Sequence, residues 1–161
     1  MSDFAGLLQA LSRSKVDFII VGGFAGTLHG STLPTRDLDI VYSRDPANIR
    51  RMVEALATHR PYLRGAPPGL PFLWDPETIA SGLNFTLITD LGALDLLGEI
   101  TGGGDFQALR PHAETVALFG VECLCLGLEK LIDVKRAAGR ARDIQAVAEL
   151  QVLLEERKKQ R

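Results

Sequence analysis

Only two cysteines stand among the 161 residues, and that scarcity closes off a class of protein. Two cysteines cannot staple a secreted disulfide scaffold. Cys123 and Cys125 stand at i, i+2 in VECLCL, on one face of an expected strand. With no other cysteine and no clustered histidine, they read as core packing rather than a metal site. An excess of one charge is also missing: 18 Lys plus Arg against 20 Asp plus Glu leave a formal net charge of -2. The molecule as a whole therefore offers no polyanion-binding surface, and any nucleic-acid contact must be local. No apolar run approaches the length of a membrane span. The opening MSDFAGLLQALSRSK lacks the cationic start and small-residue cleavage site of a signal peptide, which predicts a cytoplasmic protein.

What is present is ordinary globular material, 46% hydrophobic and 24% charged, with length for one domain and a real core. The reading is a single unit over 1–161, its core at about 16–126 and helices at about 127–157. Phe4, Leu7, Leu8 and Leu11 recur at helical spacing. Val16 to Val21 reads as a buried strand ended by Gly22-Gly23, followed by a short helix from Phe24 to His29. A strand follows at Leu38 to Tyr42, then a helix from Pro46 with Ile49, Met52, Val53 and Leu56 on one face. RPYLRGAPPGLPFLWDP is a long loop whose only cations are Arg60 and Arg64, with Phe72 and Trp74 turned inward. Two hairpins follow, Asn84 to Thr89 with Ala93 to Glu99, and Thr115 to Phe119 with Val121 to Leu126. Leu128 to Ala138 and Ala141 to about Arg157 are helices broken at Gly139, and EERKKQR is a solvated, fraying end. The pattern predicts an α+β fold, a small mixed sheet flanked by helices with a helical C-terminal segment.

Within TRDLDIV, strand alternation sends Asp37 and Asp39 to one face and Leu38 and Ile40 to the other. Adjacent like charges repel and raise a pKa unless a cation, a hydrogen-bond network or water compensates. A wet, exposed strand end explains that pair alone. Asp95, in GALDLLGEI, is a third acid between the apolar neighbours Leu94 and Leu96, and a strand aspartate in that setting asks for a partner. A shared site for a hard divalent cation explains all three, and such ions serve phosphoryl-type transfer. Glu99 shares the face of Asp95 but lies about 13 Å further along at ~3.3 Å per residue, a poor fourth ligand. The Gly-Gly turn between strand and helix would let backbone N–H groups approach a phosphate.

The order of IIVGG, TRDLDIV and ALDLLG resembles the nucleotidyltransferase superfamily related to DNA polymerase beta. Across roughly Val16 to Leu150 the texture of VGGFAGTLHG, NFTLITDLGALDLLGEI and EKLIDVKRAAGRARD is similar to the AbiEii toxin and minimal nucleotidyltransferase families. The resemblance implies transfer of a nucleoside monophosphate from NTP to an acceptor, with Mg²⁺ or Mn²⁺ and release of pyrophosphate. It implies that Asp37, Asp39 and Asp95 are catalytic and bind the metal, with Asp95 helping to deprotonate the acceptor. It implies that Gly22, Gly23, Thr35, Lys135 and Arg140 hold the nucleotide, with Asp143 orienting Arg140. Lys130, Arg136 and Arg142, around the same helix break, read as solvated.

Arg36 faces away from the acids as a surface or packing cation, His29 caps a helix or lies at the surface, and His59 and His112 are structural. The acceptor is an RNA such as a tRNA end, a protein or a small molecule, the near-neutral charge leaning away from a long nucleic acid. The setting implied is toxin–antitoxin or defence, with an antitoxin or HEPN-type partner or a homodimer. A catalytically silent nucleotide- or partner-binding module of the same fold is the alternative.

Overall fold

The computed structural model describes residues 2–160. Its frame is a seven-stranded mixed sheet in the order β3-β4-β5-β2-β1-β9-β8. The central strands are β1 (Phe18–Val21) and β2 (Leu38–Tyr42). They run antiparallel with Val21 opposite Asp39, so the end of β1 and the start of β2 meet at the same margin of the sheet. Beside β2 lies β5 (Gly92–Leu97), parallel to it, with Asp39 level with Asp95. The hairpin partner β4 (Phe85–Thr89) and the two-residue β3 (Tyr62–Leu63) complete that side. On the other side β9 (Val121–Leu126) pairs parallel with β1 and antiparallel with β8 (Ala113–Leu118). Both hairpins read from the sequence are present. The second turns through Phe119 and Gly120, both at positive φ.

The helices pack in two groups. The first comprises α1 (Phe4–Arg13) and α3 (Pro46–Leu56), which touch each other and bury Leu7, Leu8 and Leu11 with Ile49, Met52 and Leu56. The second comprises α2 (Gly22–Leu28), α6 (Leu128–Ala138) and α7 (Ala141–Lys159). A further helix, α4 (Pro76–Ser81), follows the long loop and is absent from the sequence reading. Six residues are too few to show a period, and its one buried residue is Ile79. Its signal was the Asp75-Pro76 start, where the Asp75 carboxylate accepts from Thr78 N–H at 2.8 Å. Between β5 and β8 a small ribbon, β6 (Glu99–Ile100) with β7 (Gly104–Asp105), leads into the single-turn α5 (Phe106–Leu109). Within the long loop Trp74 donates its indole N–H to Val53 O at 2.9 Å, and Phe72 meets Tyr62 edge to face. Both aromatics are turned inward, as expected.

Three polar side chains tie these parts together. His29 ends α2 and is buried, with Nε2 2.7 Å from Leu126 O and Nδ1 3.0 Å from Arg157 Nη2. An arginine can only donate, so Nδ1 accepts and Nε2–H donates, which is a neutral imidazole. The C-terminal segment therefore does more than fray in solvent: α7 continues to Lys159, and Arg157 is held by this contact. Cys123 and Cys125 are free and buried, and burial pushes the Cys125 thiol up to about 12, as suits core packing. Among the described residues no helix is long and apolar enough to cross a membrane.

Asn48 is fully buried in α3, accepting from Asp17 N–H at 2.7 Å and donating to Asp17 O and Ser43 O at 3.0 and 2.9 Å. It thereby clips the start of β1 to the end of β2. Asn48→Ala strands the buried Ser43 carbonyl and the part-buried Asp17 N–H and is expected to cost about 2–3 kcal/mol in urea denaturation.

Candidate active site

A cleft of about 490 Å³ opens where β1 ends and β2 begins. Every residue proposed from the sequence lines it: Gly22, Gly23 and Thr35, the acids Asp37, Asp39 and Asp95, and the cations Lys135 and Arg140. Gly22 has φ +67, and a Cβ there would collide with the Asp39 carboxylate. A Cβ on Gly23 would stand 2.8 Å from Thr35 Oγ1. Both glycines are therefore required by close approach, and no side chain caps the α2 N-terminus that they form.

The sheet brings the acids together as a consequence of register. Asp39 and Asp95 are level on adjacent parallel strands, and Asp37 precedes β2 by one residue. Asp39 Oδ1 is buried without a hydrogen-bond partner. Burial pushes the Asp39 carboxyl up to about 7, with the neighbouring Asp95 and Asp37 adding to the rise and Arg142 opposing it.

A residue that the sequence reading did not place beside the acids supplies the local counter-charge. Arg64, immediately after β3, donates Nη1 to Asp37 Oδ2 at 3.1 Å and Nη2 to Asp95 Oδ1, and its Nε bonds Leu87 O at 3.2 Å. Its backbone N–H is fixed on Thr86 O at 3.0 Å. The sequence treated Arg64 as a loop cation because a two-residue strand among prolines carries no alternation. Arg60, the other loop cation, is exposed and paired with Asp90 at 2.9 Å.

Among the described residues no three His, Cys, Asp or Glu side chains form a ready-made metal cage, and the Arg64 guanidinium lies between two of the three acids. The donor chemistry nevertheless fits Mg²⁺ or Mn²⁺: carboxylate oxygens only, one of them orphaned and buried, on a cluster whose repulsion a hard cation would relieve.

The cations close the opposite wall. Lys135, on α6, is held below the ordinary ammonium range by burial, against the pull of Asp143 and Asp39. Arg140 begins α7, and Asp143 accepts from its Nε at 2.6 Å, its Nη2 at 3.3 Å and its backbone N–H at 3.2 Å. Burial would raise the Asp143 carboxyl, but the Arg140 bonds and charge outweigh it and leave it below the usual range. The Asp143–Arg140 pairing expected from the resemblance is thus present. Arg36 and Arg142 also line the cleft. Arg36 is exposed, as expected of a surface cation, but it lines the cleft rather than facing away from it: β2 begins only at Leu38, so strand alternation does not govern residue 36. His59 and His112 lie outside the cleft in short 3₁₀ turns, where their carbonyls accept from Asp90 and Gly127 N–H at 2.8 Å.

No family model matches the chain, and no curated protein matches it by sequence. Among solved structures it is similar to a protein from Thermotoga maritima assigned to the nucleotidyltransferases, at 16% identity over 93% of this chain and 89% of that one, TM-score 0.53. It is similar to the lincosamide antibiotic adenylyltransferase LnuA, solved with lincomycin, at 14% identity over 91% and 93%, TM-score 0.59. It is also similar to ANT(2")-Ia, solved with adenylyl-2"-tobramycin, at 12% identity over 96% and 94%, TM-score 0.56. The chain has the nucleotidyltransferase fold.

Two outcomes follow from the charge balance. An acid whose folded pKa is raised is most favourable below its unfolded value near 3.8, and that contribution is lost as pH rises from there toward 7. Asp39→Asn should remove this loss, so in chelator at pH 8 thermal melting is expected about 3–6 °C above wild type, the gap closing toward pH 4. Arg64→Ala should lower the melting temperature in chelator, because Asp37 and Asp95 lose their counter-charge. Added Mg²⁺ should raise the variant's melting temperature by more than it raises the wild type's.

Proposed function

We propose that the protein is a metal-dependent nucleotidyltransferase that moves a nucleoside monophosphate from an NTP to an acceptor hydroxyl and releases pyrophosphate. The observation that carries this reading is the single cleft that gathers the Gly-Gly turn, the acids Asp37, Asp39 and Asp95, and Lys135 with Arg140. The fold shared with the adenylyltransferase LnuA and with ANT(2")-Ia, solved with an adenylylated tobramycin, supports it.

The Gly22 and Gly23 backbone N–H groups, Thr35 Oγ1, Lys135 and Arg140 would hold triphosphate oxygens, with Asp143 keeping the Arg140 fork aimed. Asp37, Asp39 and Asp95 would hold Mg²⁺, which when bound neutralises charge on the phosphates and favours the ionised acceptor hydroxyl. The acceptor oxygen forms a bond to the α-phosphorus as the bond from that phosphorus to the β-bridging oxygen breaks. The electron pair leaves with pyrophosphate, and the acceptor's proton passes to a carboxylate of the acid cluster. A toxin–antitoxin or defence setting and an antitoxin or HEPN-type partner rest on the sequence resemblance.

The second reading is a module of the same fold that holds nucleotide or a partner without transfer. Arg64 favours it, since a guanidinium clamped between Asp37 and Asp95 balances the acids without any metal.

Calorimetric titration with each NTP, with and without Mg²⁺, separates the readings. The expected result is Mg²⁺-dependent binding by wild type, lost in a folded Asp37→Asn/Asp39→Asn double variant. Binding that ignores both Mg²⁺ and the double substitution would point to the silent module, and no binding by folded wild type would remove the transferase reading.

A further inference from the structure

Gly22, Asp39, Lys135, Arg140 and Asp143 line two cavities, not one. The first is the cleft already described. The second, of about 390 Å³, shares that wall but has neither Gly23, Thr35, Asp37 nor Asp95 in its lining. It extends toward the end of β5 and the C-terminal half of α6, with Leu97, Ile100, Val134 and Ala138 as apolar walls and Asn84 and Glu99 among its polar groups. Whatever occupies it touches the Asp39 and Lys135 wall on which a nucleotide in the first cleft would also rest.

We propose that this second cavity binds the acceptor, and that the acceptor is a small amphiphilic molecule with an apolar body, a hydroxyl and a single cationic group. The inference rests on the transferase reading for its direction, and on the cavity alone for its chemistry. The volume lies within the range of small-molecule sites, and aliphatic walls with a few polar points are their usual lining. Glu99, exposed on β6, adds an acid that attracts one cation. The same features disfavour an RNA end. Unpaired bases are held by aromatic platforms along a basic groove, whereas this lining has no aromatic residue and its only cations, Lys135 and Arg140, sit on the shared wall. A polycation is disfavoured as well, because Lys135 and Arg140 themselves stand in the lining.

The test uses the full chain and three probes: lincomycin, an amphiphile with sugar hydroxyls and one basic amine; tobramycin, a polycation; and a short RNA hairpin ending in CCA. Binding is read by calorimetry, with Mg-ATP titrated separately into every variant. Lincomycin should bind best of the three. Val134→Trp, which fills the cavity from a partly buried position, should weaken lincomycin by about tenfold or more. Glu99→Gln, an exposed change that leaves folding intact, should weaken it by about threefold. Mg-ATP affinity should stay within about twofold in both.

Preferred binding of tobramycin or the hairpin overturns the inference, as does binding of none of the three. Lincomycin binding indifferent to both substitutions also overturns it. If wild type binds lincomycin in this substitution-sensitive way but no NTP, the cavity stands and the transferase reading falls; NTP binding without lincomycin gives the reverse.

Discussion

Mutual repulsion among Asp37, Asp39 and Asp95 is the constraint around which the rest is arranged. Two like unit charges about 4 Å apart at an effective dielectric near 20 cost on the order of 4 kcal/mol, a large share of a typical folding free energy. The β1–β2–β5 register makes the crowding unavoidable, because Val21 is opposite Asp39 and Asp39 is level with Asp95. What the protein adjusts is the compensation: Arg64 reaches in from the sheet edge, while Lys135, Arg140 and Arg142 approach from the helices. Asp39 is the least compensated of the three, with a buried oxygen left unpaired.

That arrangement demands a backbone that cannot drift, and the supports come from far along the chain. Gly22 must keep a left-handed φ directly against the Asp39 carboxylate. The helix it begins ends at His29, clamped between Leu126 on β9 and Arg157 near the end of α7. Glu149, also on α7, accepts from the Ser31 and Thr32 hydroxyls and so ties down the connection between α2 and β2. One helix thus supplies Asp143 to aim Arg140 and anchors the loop that carries Thr35 and Arg36.

Division of the site into two cavities follows from the same geometry. Glycines and acids occupy one side, where backbone can approach closely and charge accumulates. Aliphatic side chains from β5 and α6 occupy the other, where the sheet gives way to the β6–β7 ribbon. Asp39 and the Lys135–Arg140 wall belong to both, so groups held on either side would meet at a common boundary. A site of this form suits a reaction between a polyanion and a partner of different polarity.

Much of this was legible in the chain before any coordinates, because local rules operate over a few residues. The D-x-D spacing marked Asp37 and Asp39 as one group, although Asp37 stands just before β2, the glycines marked the end of β1, and Gly139 with KRAAGRARD marked the α6–α7 break and the Arg140–Asp143 pair. Local rules failed where no regular element was long enough to express a period. Arg64 follows a two-residue strand, Arg36 precedes β2, α4 has six residues, and Arg157 lies in a charged tail whose partner is 128 residues away. The sequence by itself determined which acids and glycines could share a site, since side-chain direction within a strand is set by backbone geometry. Only the tertiary structure decided which cations face them and that the shared wall has two sides, because long flexible side chains and cavity walls take their places from long-range register.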